Sequence, residues 1–248
     1  LERLSYDLDF AVAVPSWEAF EALRQALLNE GSFRAVDGNR HRLVQHGQTR
    51  VDLIPIDGTE RPDGTIIWPP ANNEVMTVLG YREAMATSEK VLLPGGLIMR
   101  VVCLPMLMAL KLIAWSERGG ETEKDATDCW SILSSYQAVG NQDRVYEIAA
   151  SWPDTAETEF EVDVVAAWLL GSDIGKCLDG PDQRARAQIL HIVEQSLALG
   201  GESALIRRMS LRQPDDALHR LSALRSGLLG VDPWRYSPEV GSQRGAST

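Results

Sequence analysis

The chain opens on alternation. Leu8, Phe10, Val12 and Val14 take one set of alternate positions, and Asp7, Asp9, Ala11 and Ala13 take the other. Period two predicts a strand with one apolar face and two neighbouring carboxylates on the opposite face. From Pro15 the period changes. Trp17, Phe20, Leu23 and Leu27 recur at helical spacing behind Ser16, a favoured N-cap, and Gly31 closes the run. Arg40 to His46 reads as a short strand and Gln45 to Gln48 as a hairpin turn. The turn leads into a second strand in which Val51 and Leu53 alternate with Asp52. Pro55 to Pro70, rich in Gly, Pro and Asp, predicts a long loop with a short strand at Thr65–Trp68, suited to lining a substrate cleft. Residues 74–103 read as strands and turns, with Lys90–Leu93 and Leu97–Cys103 flanking Pro94, Gly95 and Gly96.

Beyond Leu104 the period is helical. Pro105 suits the first turn of a helix running to about Glu117, with Leu107, Leu110, Ile113 and Ala114 as its apolar face and Lys111 amid apolar turns. Another helix begins within Glu121–Leu133. Further helices are predicted over Asp143–Ser151, Glu159–Leu170, Pro181–Leu199, Ala204–Met209 and Pro214–Leu229. After about Trp234 apolar residues thin out, which predicts a disordered tail. The expected fold class is α+β: a mixed β-sheet flanked by helices over 1–104, a helical region over 105–233 and a tail over 234–248.

Candidate chemistry sits on the polar side of the two strands. Asp7 and Asp9 repel one another, and burying either without compensation is costly. If the Asp52 strand pairs beside the first, three carboxylates converge on one face. Hard divalent cations take oxygen donors of this kind, so the pattern points to metal-assisted phosphoryl or nucleotidyl transfer. Other residues read two ways from sequence alone. Lys111 is either a snorkelling side chain or a phosphate ligand. Asp125 and Asp128, three apart, are either a first-turn acidic pair or partners of a cation. The arginines from Arg184 to Arg225 form either a solvated helix face or a surface for an acceptor or partner. His41 and His46 read as exposed strand and turn residues, and Gly95-Gly96 as purely structural.

The order of three motifs carries a resemblance. Asp7-Leu8-Asp9-Phe10, an amphipathic helix and then Val51-Asp52-Leu53-Ile54-Pro55 resemble the nucleotidyltransferases of the DNA polymerase β-like superfamily. The run Leu104 to Arg118, followed by Lys124-Asp125-Ala126-Thr127-Asp128, resembles the minimal nucleotidyltransferases related to the AbiEii toxins of bacterial abortive-infection and toxin–antitoxin systems. The resemblance covers roughly residues 1–135. It implies that Asp7, Asp9 and Asp52 bind two Mg2+ ions, that Asp52 helps to activate the attacking hydroxyl, and that Lys111 contacts the phosphates of an NTP. It implies that Asp125 and Asp128 orient Lys111 or Arg118 by ion pairing, while Arg118 either joins the anion site or caps its helix. An unknown acceptor, RNA or protein or a small molecule, and an antitoxin partner are implied as well. The family also carries a Gly-Gly or Gly-Ser turn ahead of the first Asp. None of the six residues before Asp7 is Gly and the chain begins with Leu1, so the expectation is a trimmed N-terminus that lacks this turn and a strand. The other class of reading is a catalytically inactive member that acts as a partner-binding module. A haloacid dehalogenase phosphatase is disfavoured because Ala11 stands where that pattern has Thr or Val, and a calcium loop because Ala11 and Val12 replace its Asp or Asn and Gly.

Composition narrows the partners. The chain has 248 residues, 44% of them hydrophobic and 24% charged, which is ordinary for a globular protein with a real core. Its formal charge of −11 disfavours duplex DNA, whose binding rests on neutralised phosphates. Cys103, Cys129 and Cys177 form no Cys-x-x-Cys pair and read as buried free thiols in a reducing cytoplasm. The most apolar run, Gly96 to Trp115, is interrupted by Arg100, Pro105 and Lys111, so no membrane span is expected.

Overall fold

The first strand, β1 (Asp7–Ala13), lies parallel to β4 (Arg50–Ile56), and the connection between them supplies the rest of the sheet. Parallel neighbours need a crossover. Here it consists of α1 (Trp17–Asn29), then β2 (Phe33–Val36) and β3 (Asn39–Gln45), which pair antiparallel with each other and, through β3, with β4. The resulting mixed sheet has the order β1-β4-β3-β2. A computed structural model of the chain describes residues 7–45, 49–69, 75–152 and 161–232. It divides into two units, residues 1–86 and 87–248.

In the first unit the apolar side of the sheet makes the core. Phe10 and Val12 of β1 register against Leu53 and Pro55 of β4. Val51, Leu53, Leu43 and Val14 pack there with Phe20 of α1. Ser16 starts α1 as expected, its hydroxyl accepting from the Ala19 amide at 3.3 Å. β5 (Thr65–Ile67) and β6 (Val75–Thr77) form a separate two-stranded ribbon, and α2 (Tyr81–Ala86) closes the unit. Trp68 is 1% exposed and stacks edgewise on Trp17 and Phe20 at ring distances of 5.3 and 5.8 Å. The His41 ring lies 5.1 Å from Trp68, so this histidine is half-buried against an aromatic cluster, not exposed as expected. His46 lies outside the described residues.

The second unit begins with a hairpin, β7 (Glu89–Leu92) and β8 (Ile98–Val101), turned at Gly95 and Gly96 with φ of +87° and +85°. Both values suit glycine alone. Seven helices follow among the described residues: α3 (Leu104–Arg118), α4 (Lys124–Ser135), α5 (Gln142–Ser151), α6 (Val162–Cys177), α7 (Arg184–Leu199), α8 (Ala204–Met209) and α9 (Pro214–Leu229). α6 is buried almost all round, through Val165, Ala166, Ala167, Leu169, Leu170 and Ile174 among others, so it is the central helix of the unit. α9 packs closely against it. A Cβ on Gly171 would strike the Leu224 carbonyl, and one on Gly227 would strike the Trp168 carbonyl. No helix among the described residues is long and apolar enough to cross a membrane.

The α+β class is as expected, and several details differ. β2 and α2 lie where no strand and no helix had been expected. α6 runs to Cys177, past the expected end at Leu170, because Gly171 and Gly175 serve close packing against α9 and do not stop the helix. On α3 the buried residues are Met106, Met108, Ala109, Leu112 and Ile113, whereas Leu107, Leu110 and Ala114 are half-buried. Of the three cysteines, Cys129 is buried, while Cys103 and Cys177 are half-buried. The expected tail from 234 lies outside the described residues.

Candidate functional site

On the polar side of the sheet three side chains stand in one row across three strands. Asp9 of β1 registers with Asp52 of β4, and Asp52 registers with Arg42 of β3. Paired residues of neighbouring strands project to the same face, so the row is set by backbone register alone. One pleat along, Asp7 registers with Arg50, whose Nη1 lies 3.6 Å from the Asp7 carboxylate. β4 is a central strand, and Asp52 is accordingly 8% exposed, while Asp7 is half-buried and Asp9 exposed on the edge strand.

Arg42 dominates the local electrostatics. Its Nε donates to Asp52 Oδ1 at 2.7 Å and its Nη2 to Asp52 Oδ2 at 2.6 Å, a bidentate fork that engages both oxygens. The guanidinium is held more firmly charged than usual. The hydrogen bond to Asp52 is the main cause, opposed by partial burial and assisted by the charges of Asp52, Asp7 and Asp9. All three carboxylates thus act on the one guanidinium. Arg42 was absent from the sequence expectations. The signal lies in the register of the hairpin: the Gln45 amide donates to the Thr49 carbonyl, one residue beyond the turn read from sequence, and pairing from there places 42 opposite 52.

The donor set suits a hard divalent cation in kind: carboxylate oxygens from adjacent strands on one face. Among the described residues, no group of three or more His, Cys, Asp or Glu side chains is gathered so as to hold one metal ion. The oxygens of Asp52 are directed to Arg42 instead. Asp7, Asp9 and Asp52 therefore share a face without forming a closed ligand cage.

The helical unit holds a second cluster, built between α3 and α4. Lys111 and Arg118 are seven apart on α3, about two turns along one face, and Asp125 and Asp128 are neighbours in the first turns of α4. Lys111 Nζ lies 3.3 Å from Asp125 Oδ1 and 2.7 Å from Asp128 Oδ2. Arg118 forks onto Asp125, Nε to Oδ2 at 2.7 Å and Nη2 to Oδ1 at 3.0 Å. Asp125 is 0% exposed. Burial pushes its carboxyl up, yet the Arg118 hydrogen bonds and the charges of Arg118 and Lys111 outweigh that and hold it below the ordinary range. Burial likewise opposes the charge on Lys111, and the Asp128 and Asp125 carboxylates overcome it and raise its pKa. The cluster keeps an ammonium ionised in a half-buried place.

The other arginines of this unit are mostly paired within the chain. Arg184 meets Asp182, Arg225 meets Glu194 at 2.7 Å, and Arg186 donates to the Leu228 carbonyl at 2.7 Å. Arg220 forks onto Asp216, reaches Asp163 at 2.7 Å and stacks over Trp130 at 4.9 Å. Charges neutralised in this way make a poor polyanion surface, so these arginines read as structural.

No curated protein and no solved structure matches the chain. Residues 1–164 match the family described as "Nucleotidyl transferase AbiEii toxin, Type IV TA system". That span takes in β1, β4 and both motifs of α3 and α4, and it covers more than half of the sequence. The chain therefore belongs to the AbiEii nucleotidyl transferase toxin family of type IV toxin–antitoxin systems.

Proposed function

We propose that this chain is a metal-dependent nucleotidyltransferase that moves a nucleoside monophosphate from an NTP to a hydroxyl on RNA, protein or a small molecule, as the toxin of a toxin–antitoxin pair. The observation that carries the reading is the register that sets Asp9 opposite Asp52, with Asp7 one pleat away on the same face. Mg2+ held by Asp7, Asp9 and Asp52 would supply charge neutralisation at the phosphates and a lowered pKa for the attacking hydroxyl. Arg42 holds the Asp52 carboxylate in a fixed orientation through its two hydrogen bonds. Lys111, kept charged by Asp125 and Asp128, is the ammonium assigned to the NTP phosphates, and Arg118 assists it. An antitoxin is the expected partner protein, and the expected place of action is the cytoplasm.

The test is transfer of label from each of the four α-labelled NTPs, with Mg2+, into total RNA and protein. Asp9→Asn and Asp52→Asn should each lower transfer at least about 100-fold, since each removes a metal-binding charge. Transfer that survives both substitutions would refute the assignment. One observation favours a second reading, a partner-binding module without turnover: Asp52 already has its charge compensated by Arg42. NTP binding with no transfer of label to any acceptor would favour that reading.

A further inference from the structure

One arginine from beyond residues 1–164 reaches the turn between the two helices that carry Lys111, Arg118, Asp125 and Asp128. Arg208 stands on α8, where Leu205, Ile206 and Met209 are buried and hold the helix in place. Its guanidinium meets three residues around that turn. Nη1 donates to the Gly119 carbonyl. Nε lies 3.7 Å from Glu123 Oε1, and the guanidinium carbon lies over the Trp115 ring at 5.5 Å from its centre.

The three partners bracket the turn. Gly119 is the C-cap of α3 and follows Arg118 directly, and Glu123 is the N-cap of α4, two residues before Asp125. The Trp115 indole lies against Gly119, where a Cβ would come within 2.7 Å of the ring. A planar guanidinium can donate to a carbonyl, pair with a carboxylate and stack on an indole at once, and a cation is favoured beside the last carbonyls of a helix. Arg208 thus holds both ends of the turn. The turn is also wound onto Arg118 itself, whose carbonyl accepts from the Glu121 and Thr122 amides at 2.9 and 3.2 Å. Across it runs the Arg118 fork onto Asp125, and Asp125 also accepts from Lys111 at 3.3 Å. A shift at the start of α4 therefore moves the carboxylate that both cations share.

We propose that Arg208 is a positioning residue for the NTP phosphates: it sets the α3–α4 turn and, through it, the fork of Arg118 on Asp125 with the Lys111 ammonium beside it. This role rests on the reading of Lys111 and Arg118 as the groups that meet the phosphates. It makes α8 part of the site. Arg208 acts through Arg118, so its removal should matter little once Arg118 is gone.

The experiment measures transfer kinetics of the full chain with α-labelled NTP and Mg2+ and, without nucleotide, follows the Asp125 carboxyl by NMR titration. Arg208→Ala should raise KM for the NTP about tenfold and change kcat by less than about twofold, as loss of ground-state phosphate binding does. In an Arg118→Ala background the same substitution should add less than about twofold. The Asp125 midpoint should rise in Arg208→Ala, the direction in which Arg118→Ala moves it. Arg225→Ala, which breaks the pair with Glu194, should leave KM and midpoint where they are. Should circular dichroism show Arg208→Ala unfolded, Arg208→Lys keeps the charge and the stem without the planar fork, and its KM should rise about threefold. An equal rise in KM with and without Arg118 would overturn the proposal, and so would an Asp125 midpoint unmoved in a folded Arg208 variant. A parent chain without transfer would refute the reading beneath it, and the carboxyl titration would then decide by itself whether Arg208 sets the Asp125 fork.

Discussion

Arg42 decides the state of the acidic face in the first unit. Its fork engages both oxygens of Asp52 and leaves each a second lone pair, so a cation taking Asp52 as a ligand competes with the guanidinium for the charge of that carboxylate. Arg42→Ala leaves a nearly buried carboxylate without that fork, and the expected cost is about 1–3 kcal/mol of stability in chelator. On the metal-dependent reading, Mg2+ should restore much of that loss in Arg42→Ala and change the parent far less. Thermal melts with and without Mg2+ check both halves. Equal shifts in the two proteins would count against a shared role of Asp52 toward guanidinium and cation. At this scale the sequence showed which carboxylates share a face, because period two fixes side-chain direction within a strand. It did not show Arg42, because that partner belongs to another strand and is defined by register.

Among the elements, the contact of α6 with α9 shows why some helix boundaries were legible and one was not. α8 and α9 lie where the period and the breakers put them. The Ser203 hydroxyl accepts from the Ile206 amide at α8, Pro214 opens α9, and Gly230 ends it in the left-handed region at φ of +70°. α6 passed through its own breakers. Gly171 looks like a stop, yet in the fold it is the point where the α9 backbone approaches too closely for a Cβ. Gly171→Ala and Gly227→Ala should each destabilise the unit by about 1–3 kcal/mol through overpacking, measured by urea unfolding. A Gly175→Ala control should cost less, since its nearest neighbour is the Leu228 carbonyl at 3.4 Å. Equal costs at all three positions would point to helix propensity and not to close packing. β2, of four residues, and α2, of six, escaped prediction: β2 lies between the helix closed at Gly31 and the strand read from Arg40, and α2 lies inside 74–103, which read as strands and turns.

At the scale of the whole molecule, stability should depend on acid pH through buried carboxylates of the helical unit. Burial would raise Asp125 and Asp173, and their cationic partners outweigh it in both: Arg118 and Lys111 for Asp125, Arg144 and Lys176 for Asp173, with the Tyr136 hydroxyl donating to Asp173 at 2.7 Å. Each folded pKa lies below the unfolded value of about 4. The stability they contribute is therefore present above about pH 4 and is lost as pH falls through the lower folded values. Unfolding free energy measured from pH 6 downward should drop in that window, and Asp125→Asn should flatten the drop. An unchanged slope would remove Asp125 from the account.

The sequence by itself determined the α+β class, the position of most helices, the family and the placement of Asp7 and Asp9 on one polar strand face. These follow from local periodicity, breakers and motif order, all of which are written along the chain. Only the tertiary structure decided that Asp52 faces Asp9 in parallel register, that Arg42 closes on Asp52, and that Lys111 and Arg118 share Asp125. Each is a meeting of residues from different elements, and such meetings depend on sheet register and helix packing, which no local pattern encodes.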